Sequence, residues 1–546
     1  MDDSIDITQA TTSILPPTHR PDAKTARYDR QLRLWASAGQ KSLEEARVLL
    51  IGADATGCQA LKNLVLPGIA HFTILSPYLA TSQDVATNFF LHPDSIGVTV
   101  AGEAVRFLKE LNPSVEGLAR VDDPAELIRT NPDYFLSFTL IIVSNIEPAL
   151  ELELADLLWS ASSHPDGPDI PLVAIRNSGF LGRVEIQLRE HCVIDSHPDT
   201  THTLRIDQPF TALEEYAKGL DLENIDSMEY SHVPWVVLLV RAGSAWRQSH
   251  AGTLPSTSEE KDEFKSLLRA QKKKGDEENY DEALGQAYKV WSTTEVPYEL
   301  KDLLEDNNIV NITPNSKNLH LLLHTLKRYL APSPHLLPTS PTLPDMHSST
   351  TSYIALQNLY RAQAATDLQQ FKSLLAGVLQ QVGLPVDAIP TEEIEGFVKN
   401  AGGVGIVKGR PLRESKEARG GLREVLAEAD LEDFPLPLAI HLAFLASERY
   451  HSSQKSWPLE EVEPVEEIAL SIIRETQPKV HNVPEAVTEA IQEMTRGGFS
   501  TLPTTAAFLG GVVAQEAIKL ITKQYTPLDN TVIVDLINSS LEKYKF

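Results

Sequence analysis

Residues 49–69, LLIGADATGCQALKNLVLPGI, join a short apolar run, a turn bounded by two glycines and a helix-like stretch. That order is the frame of a phosphate site, in which backbone N–H groups at a glycine turn and the start of a helix together hold an anion. The turn itself, Gly52-Ala53-Asp54-Ala55-Thr56-Gly57, keeps a side chain at every interior position and puts a carboxylate where the phosphate would lie. Two negative charges a few ångströms apart repel by about 1 kcal/mol in water-like surroundings and by several when partly buried. The acidic residue that binds ribose at the end of the next strand is also missing, because FTILSPY supplies Ser76-Pro77 there. The spacing therefore argues for the fold of a nucleotide site and against NAD-dependent hydride transfer. A plain strand-to-helix turn in any α/β domain would use the same residues.

The chain's other candidates for chemistry are Cys58 and Cys192. A nucleophilic cysteine needs an accessible, electropositive setting. Cys58 falls early in the helix after the glycine turn and is expected to be packed. Cys192 lies in REHCVIDSHPDTTH beside His191, His197 and His202, which raises both a thiolate and a zinc site. Neighbours on an extended strand point to opposite faces, and no C-x-x-C pair occurs in the chain, so neither role is assigned and the histidines read as strand or loop residues. The KKK run at 272–274 is followed at once by GDEEN and reads as a solvated turn.

These residues are carried by alternating elements. From 46 to about 190, ARVLLIGA, HFTIL, TLIIVS and PLVAI read as strands and TGCQALKNLVL and AGEAVRFLKEL as helices, which predicts βαβ units and a mostly parallel sheet. GRVEIQL alternates as a half-buried strand. Past 205 the pattern is helical, in EEYAKGLDL, PWVVLLVRAGSAW, LHLLLHTLKRYL and the long run from YIALQNLY to GVLQQV, with polar and proline-rich breaks between them. TAAFLGGVVAQEAIKLITKQ and NTVIVDL then return to a helix and a strand, as a helical insertion within an α/β domain would require. If YDRQLRLW is helical, Tyr28, Leu32 and Trp35 share an inward face while Arg30 and Arg33 share an outward one.

A length of 546 residues predicts two or three domains. The net charge of −27 opposes nucleic-acid binding, which draws its affinity from Lys and Arg. No uninterrupted apolar run reaches the length of a membrane span, so no membrane partner is expected. Two cysteines are too few for a disulfide framework, and the acidic N-terminal stretch lacks the features of a secretory signal, so an intracellular location is expected.

RYDRQLRLW before a strand, LKNLVLPGI after the turn, NFFL at 88–91 and TAAFLGGVVAQEAIKLIT at 505–522 resemble the adenylation fold of the activating enzymes for ubiquitin-like modifiers. SHPDT at 196–200, SHVPWVVLL at 231–239 and LPDM followed by YIALQNLY at 343–360 extend the similarity over nearly the whole chain, toward the regulatory subunits of the neddylation branch. The resemblance implies a doubly wound, Rossmann-like α/β adenylation domain interrupted by a large, mainly helical insertion. It divides the chain into a flexible arm over 1–25, a pseudo-adenylation domain over 26–204, an insertion lacking the acceptor cysteine over 205–490, and a return segment over 491–546.

Active members carry a glycine-rich loop, an aspartate after the second strand, an Asn-x-x-Arg-Gln stretch, a following lysine and a magnesium-binding aspartate. Here only Asn88 survives of the third feature, Leu91-His92 replace Arg-Gln, Val98 stands for the lysine and Ser144-Asn145 for the metal-binding aspartate. The resemblance thus implies that this chain binds no cofactor and no metal, with ATP and Mg held by a catalytic partner subunit in an obligate heterodimer. In the family an arginine of the N-terminal helix reaches ATP phosphates in the opposite subunit, and Arg30 matches it; without the resemblance it is an ordinary surface arginine. Further implied partners are the modifier and, transiently, a conjugating enzyme, upstream of cullin modification in cytoplasm and nucleus. The alternatives are the equivalent SUMO-branch subunit, which lacks so large an insertion, a self-sufficient adenylating homodimer, and a helical interaction protein without an enzyme partner.

Overall fold

The computed structural model describes residues 23–163, 167–194, 204–275, 277–459 and 461–546; the arm expected before residue 23, SHPDT, His197 and His202 lie outside them. Ten strands are present among these residues: β1 Arg47–Ile51, β2 His71–Leu75, β3 Glu116–Arg120, β4 Leu140–Ser144, β5 Leu172–Ser178, β6 Leu181–Gln187, β7 Glu190–Ile194, β8 Val404–Lys408, β9 Thr531–Asp535 and β10 Ser540–Tyr544. Eight form one sheet in the order β10-β9-β6-β5-β4-β1-β2-β3, and β7 pairs with β8 in a second. From β3 through β1 to β5 the pairing is parallel; β6, β9 and β10 add an antiparallel edge. The first strands read as continuous apolar runs because both faces are covered. Val48 and Leu50 face a core shared with Ile142 and Val513, while Leu49 and Ile51 face the opposite core with Phe135 and Leu154.

The helix α1, Ala23–Glu45, precedes β1, and α2, Ala55–Val65, follows it. Tyr28 and Trp35 are buried, Leu32 is half-buried, and Arg30 and Arg33 are exposed, as the helical spacing requires. α1 breaks at Trp35 and Ala36, whose backbone leaves the helical region (φ 53° at Ala36), so its first half is a separate short rod. The helix Pro503–Thr522 packs along α2, where a Cβ on Gly510 would lie 2.6 Å from the Gln59 Cβ. By length and composition this helix could cross a membrane, a candidate that the reading of the sequence did not find; half of its apolar window is buried inside the fold.

Two compact units emerge, one comprising the chain to Val193 together with Ile406–Phe546, the other Ile194–Gly405. The second is helical, with a core built on Trp235, Val240, Phe264, Leu356 and Tyr360. The structure therefore places the return to the α/β unit at Ile406 rather than 491, and the departure at Ile194 rather than 205. The helices Leu436–Gln454, Val462–Arg474 and Glu485–Arg496 pack with Leu181 of β6 and Ile533 of β9. Amphipathic helices announce that they bury one face, not what they bury it against, and no change of texture marks the boundary.

This packing also corrects the reading of GRVEIQL. Every residue of β6 is buried, including the polar side of the alternation. Arg183 pairs with Glu185 (2.9 Å) and Glu448; Arg176 pairs with Glu151 (2.8 Å) and Glu448 (3.1 Å); Lys416 reaches Glu151 (2.9 Å), Glu185 (2.7 Å) and Glu448 (3.2 Å). Three cations thus neutralise three carboxylates in the interior. Burial pushes the Glu448 carboxyl up, but Arg183, Lys416 and Arg176 outweigh it and hold it below the ordinary carboxylate range. His441, fully buried beside this cluster, is pushed down to about 3 by burial and by Arg183.

Removing one partner of a buried ionic set leaves an uncompensated charge, so Glu448→Gln is expected to lower stability by about 3–5 kcal/mol in chemical denaturation. Between pH 6.5 and about 3, unfolding lets His441 bind a proton that the folded chain refuses. Stability therefore falls as pH drops through that window, by up to about 1.4 kcal/mol per pH unit from this residue. His441→Leu should flatten the urea midpoint against pH there; an unchanged slope would show that the imidazole is not held neutral.

Candidate functional site

The direction of strand addition reverses between β1 and β4, and in doubly wound sheets ligands bind beyond the carboxyl ends of the strands at such a point. Asp54 follows β1 at that place and Asn145 follows β4. The turn between β1 and α2 keeps its glycines for internal reasons. Gly52 has φ +89°, and a Cβ there would lie 2.3 Å from the Ser144 carbonyl oxygen. At Gly57 the same atom would lie 2.7 Å from Leu50 Cδ1. The frame survives because strand and helix pack this closely, whether or not a ligand binds.

Asp54 is the N-cap of α2, its carboxylate accepting the backbone N–H of Gly57 at 3.0 Å. It therefore uses an N–H group and the positive helix end that a phosphate would need. The second oxygen accepts Asn145 Nδ2 at 2.7 Å and Thr501 Oγ1 at 3.4 Å. Asn145 adopts φ 50°, in the left-handed region that asparagine tolerates better than most residues, and also donates to Asn177 Oδ1 at 2.7 Å. Asn177 completes the set by donating its N–H to Asn145 Oδ1 (3.0 Å), giving Nδ2 to Thr501 Oγ1 (3.2 Å) and accepting Thr56 Oγ1 (3.1 Å). The crevice is a closed hydrogen-bonded set of one carboxylate, two amides and two hydroxyls, with no Lys or Arg among its members.

The other residues aligned with the active pattern, Asn88 kept and the rest replaced, add no Lys, Arg, Asp or Glu here. Asn88 is buried and donates to the Ala53 carbonyl (3.2 Å) and Cys58 Sγ (3.5 Å). Leu91 joins the hydrophobic core, His92 is exposed and Val98 is 44% exposed. These residues do not fit a triphosphate with its magnesium, which calls for cations and metal-binding carboxylates around the phosphates.

Arg30 belongs to a different place. Asn112 Nδ2 donates both to Tyr28 Oη (3.0 Å) and to the carbonyl of Val65, the last residue of α2 (2.9 Å). The rod that carries Arg30 is thus fastened to the C-terminal end of α2, about 16 Å along that 11-residue helix from the Asp54 cap. Its neighbours are engaged, Arg27 with the Leu111 carbonyl (3.2 Å) and Arg33 with Asp29 (3.0 Å). Arg30 is exposed and has no hydrogen bond or ion pair with another described residue.

Cys58 is fully buried, and burial pushes its thiol up to about 12, which removes it as a nucleophile. On β7, burial alternates: His191 is buried and pushed down to about 4, first by burial and then by Lys523, while Cys192 on the other face is partly exposed. Among the described residues no group of three or more His, Cys, Asp or Glu side chains is placed to hold a metal. Asn177 and Thr501 escaped the reading of the sequence; IRNSG and FSTLP follow no ligand motif, and only the fold brings them to Asp54.

Residues 28–146 match the family model described as ThiF family. Over 525 residues the chain is 34% identical to a protein of Xenopus laevis named NEDD8-activating enzyme E1 regulatory subunit, covering 93% of this chain and 96% of that one. It is 34% identical to the Drosophila melanogaster protein of that name (94% and 96% covered) and 32% identical to the Arabidopsis thaliana protein named NEDD8-activating enzyme E1 regulatory subunit AXR1 (95% and 96% covered).

If Asp54 and Asn145 act as one cap, Asp54→Ala and Asn145→Ala should each cost about 1–2 kcal/mol and the double variant less than their sum. Equilibrium urea unfolding of the four chains measures this; strict additivity would show that the two side chains do not cooperate.

Proposed function

Because this chain belongs to the family of NEDD8-activating enzyme E1 regulatory subunits, we propose that it is the non-catalytic half of a two-chain activating enzyme, closed to ATP itself and lending Arg30 to its catalytic partner. The observation that carries this reading is the contrast along α2. At one end the anion position is filled by the chain's own carboxylate; at the other an arginine stands unengaged by any described residue. The relatives cover 93–95% of the chain, which favours this reading over the SUMO-branch and homodimeric alternatives.

In this reading the catalytic subunit binds ATP and Mg and the modifier's C-terminal carboxylate attacks the α-phosphate. Pyrophosphate leaves; a cysteine thiolate of that same subunit then attacks the acyl-adenylate, releasing AMP and forming a thioester, and the acyl group passes on to a cysteine of a conjugating enzyme, upstream of cullin modification. The guanidinium of Arg30 stabilises the negative charge that develops on the phosphates during attack. A planar, permanently charged fork suits that task better than a lysine. Supplied from the opposite chain, it makes adenylation depend on assembly. The cap network lets the turn keep its shape without a nucleotide, because Asp54 and its partners satisfy one another.

Two measurements test the proposal. Arg30→Ala in the heterodimer should reduce modifier-dependent pyrophosphate exchange by roughly 10²–10³-fold, with Arg30→Lys recovering only part; a wild-type rate would remove Arg30 from the mechanism. Calorimetric titration of the heterodimer should give one ATP per pair, and none for this chain alone. Magnesium-dependent binding of ATP by the isolated chain would overturn the assignment of the closed crevice.

A further inference from the structure

We infer that Tyr28, seated in a socket made by Asn112 and Gly68, is a positioning residue that sets where Arg30 reaches; the inference rests on the proposed role of Arg30. The rod over residues 23–34 ends at the broken backbone of Trp35 and Ala36, so the rest of α1 does not hold it straight. A helix this short is marginal in water by itself, and its direction is set by whatever it packs against.

Two mounts are visible. At the second, Trp35 donates Nε1 to Gln40 Oε1 (3.2 Å) and its carbonyl accepts Gln524 Nε2 (2.8 Å). At the first, Tyr28 is 4% exposed and its hydroxyl accepts from Asn112, which is itself fully buried. The Asn112 amide cannot turn without loss. Its Nδ2 also serves the Val65 carbonyl, and its Oδ1 accepts Ser114 Oγ (2.7 Å). The pocket is closed around the hydroxyl as well, because a Cβ on Gly68, whose φ is +89°, would lie 2.5 Å from Tyr28 Oη. A buried tyrosine hydroxyl needs a hydrogen-bond partner, and here that partner is itself held on two sides, so the ring is fixed in place.

Two residues along a helix is a rotation of about 200°, which puts Arg30 on the side opposite Tyr28. With no described partner of its own, its guanidinium goes where the rod points. A displacement on the order of 1 Å at a reacting centre can cost about 10²-fold in rate, so a fixture that removes tilt is worth more to adenylation than to folding. Tyr28 acts through Arg30 and touches no substrate.

The test is a double-mutant cycle in the assembled heterodimer, read by pyrophosphate exchange over a titration of modifier at saturating ATP. Tyr28→Phe keeps the ring and removes only the hydroxyl. It is expected to lower kcat roughly 10-fold with the KM for modifier unchanged, and to have no further effect in an Arg30→Ala background. Equal fold-losses in the two backgrounds, or a wild-type rate for Tyr28→Phe, would overturn the inference while leaving the Arg30 proposal intact. If Arg30→Ala alone turns over normally, that proposal fails, and this inference with it. Should Tyr28→Phe not assemble, Asn112→Ser, which shortens the donor and leaves Tyr28 in place, goes through the same cycle with the same criteria.

Discussion

The carboxylate of Asp54 at the start of α2 is the interaction on which the character of this fold turns. A helix N-terminus beyond a parallel strand is an anion site by construction, since its first N–H groups lack partners within the helix. Here the anion is covalently attached, so it is present at an effective concentration that no free nucleotide matches. Asn145 and Thr501 then make that choice permanent by donating to the outward oxygen. The same bonds tie β4 and the segment preceding the helix Pro503–Thr522 to the β1 turn, across 447 residues of sequence in the longest case. These bonds make the turn a clasp between the two parts of the α/β unit.

The buried ionic cluster is the second constraint, and it acts on architecture. Arg183 and Glu185 alternate along β6 as a solvent-facing strand would, yet lie beneath the helices that follow β8. Polar groups can be covered only if their charges are met. Arg176, Lys416, Glu151 and Glu448 meet them, from elements on both sides of the helical unit in sequence. A cluster of this kind contributes little net stability against an apolar core of equal volume, but each member is costly to lose. It selects which helices cover β6.

Arg30 takes part in neither of these devices. The charges of the cluster around β6 are paired, and Arg27 and Arg33 are engaged on the same rod as Arg30. The fold thus does two things along a single helix, satisfying an anion position at one end of α2 and fastening the rod that carries Arg30 to the other.

Local chemistry decided much of this at the level of residues. The apolar runs of β1, β2, β4 and β5, the spoiled glycine turn, the missing carboxylates after β2 and β4 and the amphipathic face of RYDRQLRLW are all short-range patterns, legible because burial on one or two sides repeats at the period of the element. The packed state of Cys58 followed in the same way from its place in α2. Three matters were left to the tertiary structure. That Asp54 is satisfied rather than merely repulsive depends on Asn145, Asn177 and Thr501, which no spacing rule connects. That the helices from Leu436 to Arg496 belong to the α/β unit depends on which surface their apolar faces meet, and helical periodicity does not encode the partner. That Tyr28 is a mount for Arg30 depends on Asn112 and Gly68 converging on one hydroxyl. Sequence determines the period and charge of each element; which side chains finally meet is decided by three-dimensional packing, where residues hundreds of positions apart become neighbours.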